Sequence, residues 1–451
     1  MLTSTEAAPL PLADTVDVLV AGGGPAGVAA GFAAARMGAN TLIVEQFNCL
    51  GGIATAGGHG HICLFSEWSN PVRIVGGVPW EMATRVAEAG WGVANNSNCD
   101  FEVEGLKIVL ERMAEECGCG LIYHTMLSEA VVEEGRVTGV VIQNKSGRQA
   151  IRAKRVIDCT GDGDVAAWAG CEFEMGDPET GFCQPMTLMF TIGGVDWERV
   201  KAWRTSYQMR EVWEEAQRNG DMRPFQSTIM GFWHTPTRPD QVGINFTHIN
   251  HVDATSAEDL TQATIEGRKQ ALESIAVFRK YVPGMEACYL VSTPNTVGTR
   301  ESRRIATRTT MTRDDVVNAR PVDDRIGWGS FFIDIHGTAG PGMDDKTWRP
   351  EPGFRYPIPF GICVPRDVGG LLVAGRCAGC DHEALGSLRV MPQCGVMGQA
   401  AGVASVLSLR DDTEPGDVDV AELQSELKRQ DCIVDEDDIA RANAQTEAAA
   451  K

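Results

Sequence analysis

The chain has little positive charge and no long apolar run. Its 40 Lys and Arg stand against 61 Asp and Glu, which gives a formal net charge of −21. A surface of this sign repels the phosphates of nucleic acids and of anionic lipids, so neither is expected as a partner. No apolar stretch approaches the roughly 20 residues of a membrane-spanning helix. The first sixteen residues lack a basic cluster before an apolar core, so no signal peptide is predicted in them.

Clustered metal ligands are also missing from the sequence. The 14 cysteines are scattered, and several lie in apolar segments, as expected of reduced, buried thiols in a cytoplasmic protein. Cys117 and Cys119 have no second pair of ligands nearby, so no metal site is predicted. Cys377 and Cys380 have the C-x-x-C spacing of a redox-active dithiol and stay open as a candidate site.

Residues 17–45 carry the pattern of a dinucleotide-binding βαβ unit. A short apolar strand precedes Gly22, which makes the turn into a helix. Gly24 lets the backbone approach a pyrophosphate, and Gly27 lets the helix pack closely against the strand. Glu45 follows Gly22 by 23 residues at the end of a second strand, where it can accept hydrogen bonds from ribose hydroxyls.

The helix predicted over residues 25–37 supports the same assignment. It is rich in alanine, and its positive amino-terminal end lies where a phosphate is expected. Pro25 and Ala26, the first residues of this helix, are therefore included in the predicted cofactor site. A bare glycine turn without a ligand would not need the acidic residue at this spacing.

Several further motifs follow in a fixed order. They are Gly51-Gly52-x-x-Thr55, Asp158-x-Thr160-Gly161-Asp162-Gly163-Asp164, Gly298 to Ile305, Asp334-Ile335-His336, Tyr356-x-Ile358-Pro359-Phe360, Gly375-Arg376, and Arg389 to Pro392 followed by Gly398-Gln399-Ala400-Ala401-Gly402. As a set, over about residues 15–430, the sequence resembles the FAD-dependent oxidoreductase family related to the fumarate reductase/succinate dehydrogenase flavoprotein superfamily.

The resemblance implies an α/β fold in which a Rossmann-like FAD-binding domain of the glutathione-reductase type is discontinuous. An inserted α+β substrate or capping domain would interrupt it. On this basis residues 16–164 and 361–410 form the FAD-binding domain and residues 165–360 the capping domain. A flexible N-terminus, residues 1–15, and a C-terminal helical tail, residues 411–451, complete the predicted organisation.

The resemblance also implies noncovalent FAD. In succinate dehydrogenase flavoproteins a histidine shortly before an A-x-G-G segment holds the flavin covalently, and alignment on Ala56-Gly57-Gly58 puts Gly51 in its place. A helix over residues 395–407 would aim its amides at the flavin. Beyond the first βαβ unit, the predicted FAD contacts are Gly51, Gly52, Thr55, Thr160, Gly161, Asp162, Gly375, Arg376, Gly398 and Gln399.

Candidate catalytic residues must bind an oxyanion or move a proton. Arg300 is the first of them, because a guanidinium binds carboxylate or carbonyl oxygen in a fixed geometry; a salt bridge with Glu301 is the alternative. The other candidates are His59, His61, His336, His382 and Tyr356. His59 and His61 flank Gly60, so strand-like alternation puts both on the same face. His336 lies at a strand end, and Tyr356 can donate a hydrogen bond. For each of these, a structural role is the alternative.

The predicted function is hydride transfer between FAD and a small polar organic substrate, by dehydrogenation, double-bond reduction or alcohol oxidation. Two alternatives stay open. One is a flavin-linked disulfide reductase that uses Cys377 and Cys380. The other is a non-enzymatic flavoprotein subunit that passes electrons to a partner. A homodimer and a separate electron-acceptor partner are both compatible with the sequence.

Overall fold

The computed structural model describes residues 10–204, 206–228 and 231–449. Residues 1–9 of the predicted flexible N-terminus lie outside this part, whereas residues 12–15 already pair with another strand. The strands are β1 Leu12–Ala21, β2 Thr41–Val44, β3 His61–Cys63, β4 Gly92–Ala94, β5 Asn98–Phe101, β6 Gly120–Ile122, β7 Met126–Glu133, β8 Arg136–Asn144, β9 Gly147–Asp158, β10 Phe173–Met175, β11 Phe190–Gly193, β12 Gly231–His234, β13 Val242–Asn245, β14 Tyr289–Ser292, β15 Arg303–Ile305, β16 Arg325–Gly329, β17 Tyr356–Pro359 and β18 Leu371–Val373. The helices are α1 Pro25–Arg36, α2 Gly77–Glu88, α3 Val103–Cys117, α4 Asp164–Trp168, α5 Trp197–Trp203, α6 Ser206–Arg218, α7 Ala257–Tyr281, α8 Arg313–Val317, α9 His382–Leu388, α10 Met391–Asp411, α11 Val420–Arg429 and α12 Glu436–Ala449.

A parallel sheet forms the part of the fold around the predicted βαβ unit. Its parallel strands lie in the order β6, β2, β1, β9, β18. β2 and β18 are buried throughout, as expected for strands covered on both faces. The fold is therefore mixed α/β, with the βαβ unit predicted from residues 17–45 at the centre of the sheet.

Strand β9 joins two kinds of pairing. Its first half pairs antiparallel with β8, which in turn pairs with β7. It also pairs parallel with β1 from Ala150 to Asp158 and with β18 over its last three residues. The pattern of residues 150–153 and 155–158 predicts two short strands. The structure has one continuous strand, because the ladder with β1 runs through both segments.

Helix α10 brings the C-terminal part of the chain back to the first βαβ unit. It packs along α1 through small residues. A Cβ at Gly398 would lie 2.0 Å from the Ala26 carbonyl oxygen, and one at Gly402 would lie 2.3 Å from that of Ala30. The helix begins at Met391, four residues before the predicted start, since Pro392 is well tolerated in a first helical turn.

A second hydrophobic core lies under an antiparallel sheet in the order β12, β13, β11, β14. The rings of Trp213 and Phe246 lie 4.6 Å apart, and Phe278 lies 5.5 Å from Trp213. The spacing of Ser256 and Asp259 predicts a helix start, and α7 begins there, because the hydroxyl of Ser256 accepts a hydrogen bond from the backbone amide of Asp259. The sequence pattern predicts a single helix around residues 197–218, whereas the structure divides it between α5 and α6.

The predicted capping segment contributes to more than one hydrophobic core. The buried side chains of the second core come from positions between Phe190 and Cys288. Met311, Trp328 and Tyr356 instead belong to the same core as α1 and α10. The predicted domain boundaries at residues 165 and 360 stay predictions.

Within the described ranges, no single helix is long and apolar enough to cross a membrane. Helices α9 and α10 reach the required length and composition only as a pair, which is bent by 92°. Both helices are largely buried inside the protein.

Candidate active site

A cavity of about 470 Å³ opens where the parallel strands end. Ligands of open α/β sheets bind at this carboxyl edge, where loops from several strands converge. Many of the predicted cofactor-binding residues line it together, namely Gly22, Gly24, Pro25, Ala26, Glu45, Gly52, Thr160, Gly161, Asp162, Gly375 and Arg376.

The first end of the cavity, which we call the nucleotide end, is built around the start of α1. Gly24 is the residue before the helix, and no side chain caps the exposed amides. A Cβ at Gly24 would meet no atom of the described residues beyond its chain neighbours within 4 Å. The positive end of the helix therefore faces open space, which is the arrangement that binds a phosphate.

Glu45 lies beside this helix start. Its carboxylate accepts hydrogen bonds from the backbone amides of Gly23, at 2.7 Å, and Phe47, at 2.8 Å. Burial raises the pKa of Glu45, although these two amides oppose the shift. Each carboxylate oxygen of Glu45 accepts one hydrogen bond from the protein, so each keeps a lone pair for a hydroxyl group in the cavity.

A polar network forms the middle of the cavity wall. Arg376 donates to the carboxylate of Asp162 at 2.9 Å and to the hydroxyl of Ser302 at 3.1 Å. Ser302 itself donates to Asp162 at 2.7 Å. Gly161 has a φ of +82°, and a Cβ there would lie 2.7 Å from the guanidinium of Arg376. The glycine thus allows the arginine to lie flat against the turn after β9.

Arg300 occupies the second end, which we call the arginine end. Its side chain is buried and donates to the carbonyl oxygen of Pro185 at 2.6 Å and, at 3.4 Å, to the side-chain oxygen of Asn245. Within the described ranges its guanidinium makes no ion pair, and Glu301 pairs with Arg304 instead. Burial and the nearby cation of Arg389 lower the pKa of Arg300 to about 9.

Arg389 is the second cation at this end. It donates to the carboxylate of Asp334 at 2.7 Å, and the ring of His336 lies 3.4 Å from the same carboxylate. Burial opposes the charge on Asp334, but His336 and Arg389 hold the pKa of Asp334 well below its usual range. Burial and Arg300 lower the pKa of His336 to about 4. One carboxylate therefore faces two arginines.

His59, in the loop before β3, and His61, the first residue of β3, behave differently. His59 lines the cavity, and burial together with the cations of His61 and Arg300 lowers the pKa of His59 to about 3. Burial disfavours charge on His61 too, but its hydrogen bonds to Asp100 and Cys63 raise the pKa of His61 to about 10. His59 is thus a neutral group on the cavity wall, and His61 is a cation beside it.

Two predicted catalytic residues lie in buried networks outside the cavity lining. His382 hydrogen-bonds Glu301 at 2.9 Å. The Tyr356 hydroxyl lies 2.6 Å from that of Ser387. His336 and His61 are also outside the lining; Asp334 connects His336 to the lining residue Arg389, and His61 lies beside the lining residue His59. The predicted catalytic roles of these four residues stay predictions.

Five predicted cofactor contacts also lie outside the lining, and their surroundings differ. The side-chain oxygen of Gln399 accepts a hydrogen bond from the backbone amide of Val78 at 2.8 Å. Gly27 has the packing role assigned to it, since a Cβ there would lie 1.8 Å from the carbonyl oxygen of Gly22. The others are Gly51, which has a φ of +101°, Thr55, which donates to the Leu50 carbonyl, and Gly398, at the crossing of α1 and α10.

The structure adds residues that the sequence did not single out. Asp334 and Arg389 occur in recognised motifs, but their pairing could not be inferred because 55 positions separate them. Asn245 comes from the second sheet and follows no motif. Asp100 is the register partner of His61 across β3 and β5, a pairing that only the antiparallel ladder reveals.

Cys377 and Cys380 are both buried, unpaired thiols. Burial raises the pKa of Cys377 well above its usual range and raises that of Cys380 as well. Neither residue belongs to the cavity lining. A dithiol that exchanges electrons with a cofactor needs an accessible thiolate, so this arrangement argues against the disulfide-reductase alternative.

The fold and the cavity together define a Rossmann-type dinucleotide-binding protein. The sequence model of the FAD-dependent oxidoreductases matches residues 17–427. The chain therefore belongs to this family of flavin enzymes, and its cofactor is FAD. The described residues fit that cofactor, because the uncapped start of α1, the open space at Gly24 and the carboxylate of Glu45 lie together on the cavity.

Curated relatives match only part of this chain. A thiamine thiazole synthase from Aeropyrum pernix is 34% identical over 157 residues, which is 32% of this chain and 54% of the relative. A digeranylgeranylglycerophospholipid reductase 2 from Methanopyrus kandleri is 32% identical over 162 residues, which is 32% of this chain and 37% of the relative. This chain thus spans about half of the first relative's length and less of the second's.

Solved structures resemble the chain over most of its length but at low identity. A geranylgeranyl bacteriochlorophyll reductase-like protein from Thermoplasma acidophilum is 15% identical, with a TM-score of 0.46 over 92% of this chain and 83% of that protein. The myxobacterial chondrochloren halogenase CndH is 13% identical, with a TM-score of 0.45 over 93% of this chain and 79% of the halogenase.

Proposed function

We propose that this protein transfers a hydride between FAD and a small organic substrate that carries a carboxylate or an equivalent oxyanion. The transfer would be a dehydrogenation, a double-bond reduction or an alcohol oxidation. The observation that carries this proposal is the buried guanidinium of Arg300, which lines the cavity without an ion-pair partner among the described residues.

An unpaired buried cation is costly because it has lost its hydration without gaining a counter-ion. Asp334 supplies one negative charge to the arginine end, and its shortest ion pair is with Arg389. Arg300 shares the field of that carboxylate, but within the described residues it makes no ion pair, and its hydrogen-bond acceptors are neutral oxygens. An anionic group in the cavity would compensate it with a charge-assisted, two-pronged hydrogen bond.

His59 is suited to handle the polar part of the substrate. Since its pKa is lowered to about 3, its ring is neutral near pH 7 and can both donate and accept a hydrogen bond. Bound FAD supplies the group that takes or gives the hydride. The chain's own residues would bind the oxyanion through Arg300 and orient a hydroxyl or carbonyl through His59.

We further propose the finer fold assignment, with a discontinuous FAD-binding domain of the glutathione-reductase type, a capping domain inserted into it, and a relation to the fumarate reductase and succinate dehydrogenase flavoproteins. The second core formed from residues 190–288 supports a separate capping unit. Noncovalent FAD is part of the proposal. In its support, Gly51 has a φ of +101° and a Cβ there would lie 2.7 Å from Thr55, so a histidine has no room at this position.

The test is anaerobic bleaching of the flavin by a panel of hydroxy, keto and unsaturated carboxylates. Wild-type protein should bleach with at least one of them, or re-oxidise with the corresponding acceptor. Arg300→Gln should keep its bound FAD and lose roughly 100-fold in carboxylate affinity, because a buried charge partner is removed. Arg268→Gln, an exposed arginine on α7, is the matched control.

Two results would count against the proposal. One is Arg300→Gln protein that responds to the carboxylates as the wild type does. The other is a flavin that no small molecule reduces but a partner protein does, which would favour the electron-transfer subunit instead.

A further inference from the structure

The wall at the arginine end is a ribbon of two short chain segments, residues 185–189 and 296–300. They are joined at Thr187 and Gly298, whose backbone amides and carbonyls exchange hydrogen bonds of 3.0 and 2.6 Å. Antiparallel pairing at this point places Pro185 opposite Arg300. The hydrogen bond from Arg300 to the Pro185 carbonyl agrees with that register.

The end of this ribbon away from Arg300 is largely apolar, although Thr296 also lies there. Met189 and Val297 line the cavity and are each 5% exposed. Ala254 and Leu260, from the segment that leads into α7, line the cavity as well. Ala254 and Val297 belong to a small hydrophobic cluster of their own, against which Leu260 packs. The apolar patch therefore consists of several side chains and packs against a hydrophobic cluster.

The other end of the ribbon is cationic. All five residues from Thr296 to Arg300 line the cavity, so the wall changes from apolar to charged along one continuous segment. The three Cα-to-Cα steps from Val297 to Arg300 span at most about 10 Å of chain. The wall thus presents a cation and an apolar surface within the length of one small ligand.

We infer that the substrate is an amphipathic carboxylate, with its carboxylate on Arg300 and an apolar chain lying along Val297, Met189 and Leu260. This inference rests on the proposed function and adds the apolar half of the substrate. A wholly polar ligand would leave the apolar wall facing water, whereas an aliphatic chain of up to about 10 Å would cover it.

The test uses saturated straight-chain carboxylates, from acetate to decanoate, as ligands of the oxidised FAD-loaded protein. Binding is followed by the change in the flavin absorption spectrum, so no turnover is needed. Affinity should rise about fourfold with each added methylene until the chain reaches the end of the apolar wall. Acetate and octanoate should both lose affinity in Arg300→Gln.

Substitutions of Leu260 test most directly whether the apolar half of the substrate lies along this wall. Leu260→Asn should weaken octanoate at least about tenfold and leave acetate unchanged, because only the longer chain reaches this side chain. Leu260→Ala is a milder second variant that keeps the site apolar and should show a smaller effect of the same kind. Leu272→Asn, at a 59% exposed position further along α7, is the matched control and should change neither ligand.

Different failures have different meanings. Carboxylates that bind through Arg300 with the same affinity at every chain length would overturn the amphipathic substrate and leave the proposed function standing. Octanoate binding that Leu260→Asn does not weaken would overturn it too. If no carboxylate binds and Arg300→Gln behaves as the wild type, the proposed function fails together with this inference.

Discussion

The two ends of the cavity are built in opposite ways. The nucleotide end comes from residues 22–45, consecutive in the chain, and works through backbone amides, a helix end and one carboxylate. The arginine end brings together Arg300, Asp334 and Arg389 with the loop that carries His59. Local sequence is therefore enough to build a phosphate cradle, whereas a charged substrate pocket needs chain segments that only the fold brings together.

The two ends also differ in charge. Glu45 is a buried carboxylate whose protein partners are backbone amides, and Arg300 is a buried cation whose protein partners are neutral oxygens. Each group has capacity left for a ligand of its own kind, a hydroxyl donor at Glu45 and an anion at Arg300. The cavity is thus polarised along its length.

The largest effects are expected at the nucleotide end, from substitutions of Gly24 and Gly27. Gly27→Ala should destabilise the fold by about 3 kcal/mol or more, because its Cβ would lie 1.8 Å from the backbone oxygen of Gly22. Gly24 has a φ of −69°, which alanine adopts freely, and its Cβ would enter open cavity. Gly24→Ala should therefore fold normally and lose at least about tenfold in FAD affinity.

Thermal unfolding and flavin absorbance separate these two outcomes. A Gly24→Ala protein that retains FAD as tightly as the wild type would show that the pyrophosphate does not approach this turn. A Gly27→Ala protein of unchanged stability would mean that α1 does not pack this closely against the strand.

A pH titration tests the arginine end next. Because the pKa of Arg300 is lowered to about 9, carboxylate affinity should be constant from about pH 6, where the ligand is ionised, to pH 9 and should fall about tenfold per pH unit above it. Between that pKa and the usual 12.5 the unfolded chain holds a proton that the folded chain has lost, so this group makes unfolding costlier as the pH rises. Arg300→Gln should abolish both dependences, and a wild-type affinity that is flat to pH 11 would contradict the assignment.

A smaller effect is expected at His61, beside the cavity. Its pKa is raised to about 10 against burial, by Asp100 and Cys63, so its stabilising contribution is complete below pH 6.5 and is lost as the pH rises through 10. Asp100→Asn should lower the pKa of His61 and cost about 1 kcal/mol near pH 7, since both side chains are partly exposed. NMR titration of the imidazole measures the shift, and His61→Gln is the control that should remove this pH dependence.

The smallest effect is expected for Cys377→Ser and Cys380→Ser. Both thiols are buried away from the cavity lining, so bleaching by the substrate should stay within about twofold of the wild-type rate. Loss of turnover in either variant, with FAD still bound, would revive the disulfide-reductase alternative. Ser replacement at Cys171, a buried thiol elsewhere in the fold, is a suitable comparison.

Much of the scaffold could be predicted from local pattern. The glycines at 22, 24 and 27 with Glu45 identified the βαβ unit because each residue acts through the backbone of its own turn or through its immediate neighbour. Ser256 and Asp259 marked the start of α7 for the same reason, since a helix cap is a contact three residues long. The break between α5 and α6 escaped prediction because the amphipathic pattern continues across it.

The sequence by itself determined the cofactor class and the parallel strands around it, because phosphate binding depends on a glycine turn and a helix end whose geometry is local. Only the tertiary structure decided which charged groups face the cavity. Arg300 was already a candidate from the sequence. That it makes no ion pair among the described residues, that Asp334 pairs with Arg389, and that His382 and Tyr356 lie in buried networks all depend on distances between remote segments. Charge and burial are properties of an environment, and that environment exists only after the chain has folded.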